Sequence, residues 1–361
     1  METAAVLQVV GLRLAAQQLT GPRAPSVAEA VRNSLAVQAQ DPPLARWSLG
    51  LRSGADDASV RAAIDAGEVL RTHVLRPTWH YVHRDDIRWL LELTGPRIGS
   101  GNRARQRQLG IDDEVWAAAE KVLRRQLGDG PLTRRQLQAV LPRPASPQPN
   151  QTVAHLLMIA EARGLICSGP LVGGEHSYLL LDDVVPAQSP RPRAELATEL
   201  VHRFVAGHGP TSLRDLQRWS NITRTEARQA LASGFERSTV DGVELWTVPG
   251  APDHGTEGVF LLPNFDETFL SHDRPRFPRQ PGHRLGDQHL NPGEMGNGFV
   301  IVDGIDVGSF RLSRRTRAGR TEREVRLELA PGVEERYRSR LATAVDGLLA
   351  FYRQDETHAR G

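Results

Sequence analysis

Two glutamines near the N-terminus, Gln38 and Gln40 in Val37-Gln38-Ala39-Gln40-Asp41-Pro42-Pro43, are the pair whose types and spacing could do chemistry together. A carboxamide offers two donor hydrogens and an acceptor oxygen but has no useful basicity, so it is no ordinary general base. Two amides can instead position a water molecule and stabilise positive charge developing beside them. Residues at i and i+2 lie about 200° apart around a regular helix but share one face of an extended segment. For both amides to serve one site, the chain must leave helical geometry around Gln38 to Gln40. Pro42 and Pro43 supply the means, because the residue before a proline is pushed out of the α region. On spacing alone the plainer alternative stands beside this one: two surface glutamines at a helix C-terminus. Asp41 is a tempting base, but as the next residue it points away from the pair.

Other chemistry is thin. His80, His83 and Asp85 have a spacing but no supporting ligand set. Asp56-Asp57 reads as helix N-terminal charge, and Asp266-Glu267 is a second adjacent carboxylate pair. No Gly-rich nucleotide loop and no Gly-x-Ser-x-Gly elbow occurs. The single cysteine, Cys167, excludes an internal disulfide and a thiolate-rich zinc site. We expect neither a metal nor a cofactor.

The elements that must carry the glutamines follow from periodicity and punctuation. Helical patterns cover residues 7–19, 26–40 and 57–66, with Gly67 as a C′ residue. Two β-rich runs, 69–75 and 78–83, flank Arg76-Pro77 as a hairpin, and a short helix over 85–93 ends at Gly95-Pro96. Three helices and a hairpin are the order of a winged helix-turn-helix. A second block repeats it, with helices over 112–126, 133–141 and 152–163 and a hairpin around Gly173-Gly174. A third follows, with helices over 195–206, 213–219 and 223–232. Thr223 and Glu226 offer a capping box there, and Asp241-Gly242 a type I′ hairpin turn. Gly130-Pro131-x-Thr133-x-Arg135-x-Leu137-Gln138 matches Gly209-Pro210-x-Ser212-x-Arg214-x-Leu216-Gln217 as an internal repeat. The last block has a strand over 259–262, a long loop over 273–297, a hairpin around Asp303-Gly304, a strand over 322–329 and a helix over 334–352.

The expected fold is therefore α+β and mostly helical. Its domains are 1–98 with the Gln-x-Gln motif, 99–188 and 189–253, each a winged helix, then a β-hairpin and helix region over 254–361. At 361 residues the chain has room for several small cores. No apolar run is long enough to span a membrane, and the N-terminus lacks the start of a signal peptide, so a cytoplasmic protein is expected.

The net charge is only +2, yet Lys121 is the sole lysine and the other cationic side chains are arginines. A GC-rich genome imposes the same bias without functional meaning. Physically, each basic surface is built of planar forks suited to phosphate and base edges. Clusters at 102–108 and 311–320 make Arg103, Arg105, Arg311, Arg314, Arg315, Arg317 and Arg320 the candidate DNA contacts. The plainer reading of 311–320 is a solvated hairpin. His80, in Thr78-Trp79-His80-Tyr81, reads as a wing or core residue rather than a catalytic one, and as a wing residue it would touch DNA.

Three separated segments carry a resemblance. Leu35-Ala36-Val37-Gln38-Ala39-Gln40-Asp41-Pro42-Pro43 resembles the catalytic segment of the AlkZ-type DNA glycosylases of the YcaQ-like winged-helix family. Arg76-Pro77-Thr78-Trp79-His80-Tyr81-Val82 and Leu262-Pro263-Asn264-Phe265-Asp266-Glu267-Thr268-Phe269-Leu270, with Asp273-Arg274 beyond, resemble that family too. The resemblance implies tandem winged helices in a C-shape around a DNA-sized channel. It also implies excision of bulky alkylated purines, unhooking of interstrand crosslinks, and catalysis by Gln38 and Gln40.

The chemistry fits: a purine alkylated at N7 or N3 is already cationic and leaves without protonation, so two amides and no strong acid suffice. The expected protein is a monofunctional, metal-free glycosylase acting as a monomer on double-stranded DNA, with self-resistance to a DNA-alkylating natural product as one setting. The alternatives are a non-catalytic winged-helix transcription regulator and a protein-interaction scaffold.

Overall fold

The computed structural model describes residues 2–142, 148–173, 175–281, 296–317 and 320–353; of residues 2, 315–317 and 320–321 it describes the backbone alone. The chain opens with α1 (Glu2–Ala16), α2 (Val27–Ser34), β1 (Val37–Gln38), α3 (Pro42–Ser53), α4 (Asp57–Asp65), β2 (Val69–His73) and β3 (Trp79–His83). The order of the sheet is β1-β3-β2. Then come α5 (Ile87–Gly101), α6 (Arg103–Gln108), α7 (Asp113–Leu127), β4 (Leu132–Thr133), α8 (Arg134–Val140), α9 (Pro149–Ala162), β5 (Ile166–Val172), β6 (Glu175–Leu180) and α10 (Leu181–Val184). A second sheet runs β4-β6-β5.

Next are α11 (Arg193–His208), α12 (Leu213–Ser220), α13 (Arg224–Ala230), β7 (Glu236–Val240) and β8 (Val243–Thr247), with Thr211 bridging Trp246 of the β7-β8 hairpin. The last elements are β9 (Val259–Pro263), α14 (Glu267–Leu270), β10 (Asn297–Val302), β11 (Ile305–Arg317), β12 (Arg320–Leu329) and α15 (Val333–Phe351), and their antiparallel sheet is ordered β12-β11-β10-β9. About half of the described residues are helical, so the protein is α+β rather than mostly helical.

One sequence of parts recurs: helix, a short strand segment, two helices and a hairpin whose second strand pairs with the short segment. The two copies of the sequence repeat occupy equivalent places. Thr133 and Ser212 each cap a helix through a reciprocal capping box, with Gln136 and Asp215 as partners. Thr223 and Glu226 form a third box at α13, and Asp241 and Gly242 take φ of 51° and 68°, as a type I′ turn demands.

The region around the glutamines differs from the reading by periodicity. The helix expected over 26–40 stops at Ser34, where Leu35 turns to a φ of 61°. The prolines do not end that helix; they begin α3, which the sequence reading lacked. Asp41 is its N-cap, and Pro42 and Pro43 occupy the first turn, where a missing N–H deprives the helix of nothing. With α3 in place, α2, α3 and α4 are the three helices before the β2-β3 hairpin, and α1 packs against α11 and β7 instead. The helix expected to stop at Gly95-Pro96 runs through both as α5. Gly95 lies so close to the Ala162 carbonyl that a Cβ would sit 2.2 Å from it, which lets α5 pack against α9.

Three cores result. One joins the hairpin of the first part and α5 to α11, α12 and α13; a second lies between α2, α3, α4, the C-terminal sheet and α15; a third fills the space around α7 and α9. In the second, Trp47 donates its indole N–H to the Leu261 carbonyl at 2.8 Å and meets Phe351 edge-on, so α3 is held by both sheet and helix.

Candidate active site

The two glutamines stand on the short extended segment between α2 and α3. Val37 pairs with Tyr81 and Gln38 with His80 across β1 and β3, and the Ala39 N–H continues the ladder to the Trp79 carbonyl at 2.7 Å. Val37, Ala39 and Tyr81 are buried in the second core. Side chains alternate along a strand, so Gln38 lies on the opposite face from Val37 and Ala39, and Gln40 follows at the bend just past it. Gln38 is 7% exposed and Gln40 half-buried.

The backbone that carries the amides is fixed by side chains distant in sequence. The Gln38 N–H donates to Glu267 Oε1 at 2.9 Å. Arg71 donates through Nε and Nη2 to the Ala39 carbonyl, both at 3.2 Å, and its guanidinium lies over the Trp79 ring at 4.3 Å. Asp41 is fully engaged elsewhere. Its Oδ1 accepts the Leu44 N–H at 3.4 Å and its Oδ2 the Gly296 N–H at 2.6 Å. Burial pushes the Asp41 carboxyl up, against those N–H groups and Arg46. It is a cap and an anchor.

Glu267 is buried, and its second oxygen accepts the Trp219 indole N–H at 2.7 Å and lies 3.1 Å from Ser271 Oγ. Ser271 Oγ is in turn 2.9 Å from His208 Nδ1, and His208 Nε2–H donates to the Ser34 carbonyl at 2.9 Å. Burial drives the Glu267 carboxyl up, more than the nearby Arg76 cation, the indole and the Gln38 amide hold it down. The same burial takes His208 down to about 3, so its ring is neutral. Asp266 is the contrast. Burial would raise it too, but Arg52 clasps both its oxygens at 2.8 and 2.9 Å and, with the Ser48 hydroxyl and the Thr268 N–H, keeps it below the usual range. Asp266 holds the start of α14, and so aims Glu267 at the glutamine strand.

Across the sheet, Gln38, His80 and Thr72 form one row, with His80 directly opposite Gln38 on β1 and Thr72 on β2. His80 and Thr72 are fully buried. His80 Nδ1–H donates to the Thr78 carbonyl at 3.0 Å. Among the described residues, Gln38 Oε1, His80 Nε2, Thr72 Oγ1 and the Nε and Nη2 of Arg76 have no hydrogen-bond partner although buried. Such a concentration of unpaired polar atoms is a departure that a folded interior ordinarily avoids. Burial first, then the Arg76 cation, holds His80 well below 6.5, so its imidazole is neutral.

His80 is thus a buried member of the glutamine row rather than a surface contact for DNA. The sequence reading also gave no role to Arg71, Trp219 or Glu267. Trp79-His80 and Asp266-Glu267 did stand in the segments that carried the resemblance, and Asp266-Glu267 also stood out as an adjacent carboxylate pair.

The expected basic contacts fall on two separate elements. Arg103 is exposed on α6, while Arg105 is half-buried and bonded to Gln108 Oε1 at 3.0 Å and Gln148 Oε1 at 2.6 Å, so it is tied to the protein itself. Arg311 and Arg314 are exposed on β11. Among the described residues, beyond the Leu312 N–H bond to the Gly296 carbonyl β11 pairs with β12, down to Arg317 opposite Arg320, so the basic run is a two-stranded ribbon. The side chains of Arg315, Arg317 and Arg320 lie outside the described residues. A cavity of about 680 Å³ is lined by Arg88, Glu92, Arg103 and Arg163 among others, and touches neither glutamine. No group of His, Cys, Asp or Glu that could hold a metal ion occurs among the described residues, and no described helix is long and apolar enough to cross a membrane.

Comparison with known proteins adds three findings. The family described as DNA glycosylase AlkZ-like matches residues 31–351. The solved structure of the Streptomyces sahachiroi DNA glycosylase AlkZ superposes with a TM-score of 0.71, covering 95% of each chain at 18% sequence identity, which is a likeness of fold. No curated protein matches.

Proposed function

This chain belongs to the AlkZ-like DNA glycosylase family, and from that premise we propose that it hydrolyses the N-glycosidic bond of purines alkylated at N7 or N3, with Gln38 and Gln40 as the catalytic pair. The observation that carries the reading is the extended segment 37–39. It carries Gln38, with Gln40 one residue beyond it, while Glu267, Trp79 and Arg71 hold its backbone and Asp41 is committed to capping. Among the described residues the carboxylates that meet this segment, Asp41 and Glu267, are both engaged by backbone N–H groups.

The mechanism follows from that composition. A cationic purine needs no proton to depart, and the sugar left behind carries positive charge. The two amide oxygens stabilise that charge and orient a water for attack at the anomeric carbon. Bond cleavage releases the neutral modified base, water adds its oxygen to the sugar, and its proton passes to solvent. Normal purines are poor leaving groups without protonation, so selectivity begins with the chemistry itself. The recurrent helix–strand–helix–helix–hairpin parts are read as three tandem winged helices, with boundaries near residues 98, 188 and 253, that line a DNA channel. An open channel suits bulky adducts and interstrand crosslinks, because a base tied to both strands cannot be flipped freely into a closed pocket.

The test is base release from duplexes carrying N7-methylguanine or a bulky N7 adduct, revealed by alkaline cleavage at the abasic site. Wild type should release the base, while Gln38→Ala and Gln40→Ala bind the duplex with near wild-type affinity and release little. Tight binding without release by wild type would favour a non-catalytic DNA-binding regulator.

A further inference from the structure

The Gln38 amide and the His80 ring stand side by side in one antiparallel register, and the structure sets an acceptor of each toward the protein interior without a partner. Directly opposed residues have Cβ atoms about 4.5–5.5 Å apart, close enough for their polar ends to meet. The tautomer of His80 is fixed by its neighbour: with the Nδ1 hydrogen given to the Thr78 carbonyl, Nε2 of the neutral ring carries only a lone pair. Beside it, the Gln38 oxygen brings further lone pairs and no hydrogen. Among the described residues the Thr72 hydroxyl on the far side of His80 supplies one proton, and the nearby Arg76 donors form no hydrogen bond to either acceptor. A half-turn about the last side-chain bond of Gln38 exchanges its oxygen and nitrogen and leaves the rest of the residue in place. The amide NH₂ then donates to His80 Nε2, and the oxygen faces away from the ring.

We propose that His80 is a positioning residue that fixes the catalytic orientation of the Gln38 amide, accepting its NH₂ at Nε2 so that the amide oxygen faces the substrate sugar and its water. This rests on the reading of Gln38 as a catalytic amide and deepens it. The orientation matters because the two ends of an amide are opposite in sign. An oxygen next to a developing oxocarbenium ion stabilises it and accepts from the attacking water, whereas an NH₂ group in that place opposes the charge. Without a partner, the amide rotates between the two. An acceptor that cannot donate selects one of them.

The experiment compares wild type, Gln38→Ala, His80→Phe and His80→Gln in single-turnover release of N7-methylguanine, with duplex affinity measured separately. His80→Phe keeps the ring volume and removes the acceptor, and is expected to slow release about tenfold or more while affinity stays within about twofold. His80→Gln, whose amide oxygen reaches toward the Nε2 position, should recover part of the rate. Wild-type release by His80→Phe, with Gln38→Ala inactive, overturns the role of His80 and leaves the glutamine reading intact. Wild-type release by Gln38→Ala overturns both. A ¹⁵N spectrum of histidine-labelled wild type keeps the idea open to refutation even where His80→Phe fails to fold. The His80 hydrogen is expected on Nδ1, and a hydrogen on Nε2 overturns the proposal.

Discussion

Glu267 Oε1 accepts the backbone N–H of Gln38 at 2.9 Å, a bond between residues 229 apart in sequence. It joins α14 to β1, and through Trp219 and Ser271 the same carboxyl reaches α12 and the His208 ring of α11. Glu267→Ala leaves the Gln38 and Trp219 N–H groups buried without acceptors, at a cost of about 1–3 kcal/mol each. Urea unfolding should show that loss, and base release should fall with it. Glu267→Gln retains an acceptor for Gln38 and should lie between. Equal activity in Glu267→Ala and wild type would show that β1 holds its place without this bond.

Asp41 caps α3 and does not serve as the base. Asp41→Ala should lower stability by about 0.5–2 kcal/mol, as the loss of a helix N-cap does. Asp41→Asn keeps the accepting oxygen for the Leu44 N–H and should release N7-methylguanine at a rate near wild type. A collapse of its single-turnover rate, with folding intact, would make Asp41 catalytic.

Stability should fall as pH is lowered from 6.5 toward 5. Burial lowers His208 to about 3 and His272 to about 4, and holds His80 well below 6.5. A group whose folded-state pKa is depressed gives stability that is complete above its unfolded value, here 6.5, and lost progressively as pH drops toward the folded value. Each such imidazole contributes up to about 1.4 kcal/mol per pH unit in that interval. Asp306, pushed up to about 6, and the raised Glu267 act in the opposite sense, because the folded state takes their protons first. Asp41 is raised as well, while His155 and His176 are lowered, so five depressed imidazoles face three raised carboxyls. A urea midpoint that is flat between pH 6.5 and 5 would mean that these rings find partners or water on protonation.

Arg311 and Arg314 are exposed, described cations on β11 of the basic ribbon, with Arg326 exposed opposite Arg311 on β12. Replacing Arg311 and Arg314 with Ala should weaken duplex binding at low salt and reduce the slope of log K against log salt by about 1 for each phosphate contact removed. Release under saturating enzyme should change little. An unchanged slope would take these two side chains out of the DNA interface.

Arg52 and Asp266 form a buried bidentate pair behind the site. Arg52→Met leaves Asp266 charged and alone, and the expected destabilisation is about 3–5 kcal/mol by chemical unfolding. The double variant Arg52→Met with Asp266→Asn should recover part of it, since no bare charge remains.

What the sequence by itself determined was local. The capping box at Thr223, the helix starts at Thr133 and Ser212 and the turns at Asp241-Gly242 and Asp303-Gly304 were legible, because each rests on a hydrogen bond or a positive φ within four residues. The break from helical geometry at Gln38 was also legible, since residues two apart do not share a face of a helix. Pro42 and Pro43 misled, because a proline pair reads equally as the stop of one helix and the first turn of the next; the Asp41 cap decides for the second. Tertiary structure alone brought Glu267, Arg71 and His80 to the glutamine strand. Their separations of 229, 32 and 42 residues are closed by β-pairing and by a shared core, and no local pattern in the chain encodes which buried polar group will meet which.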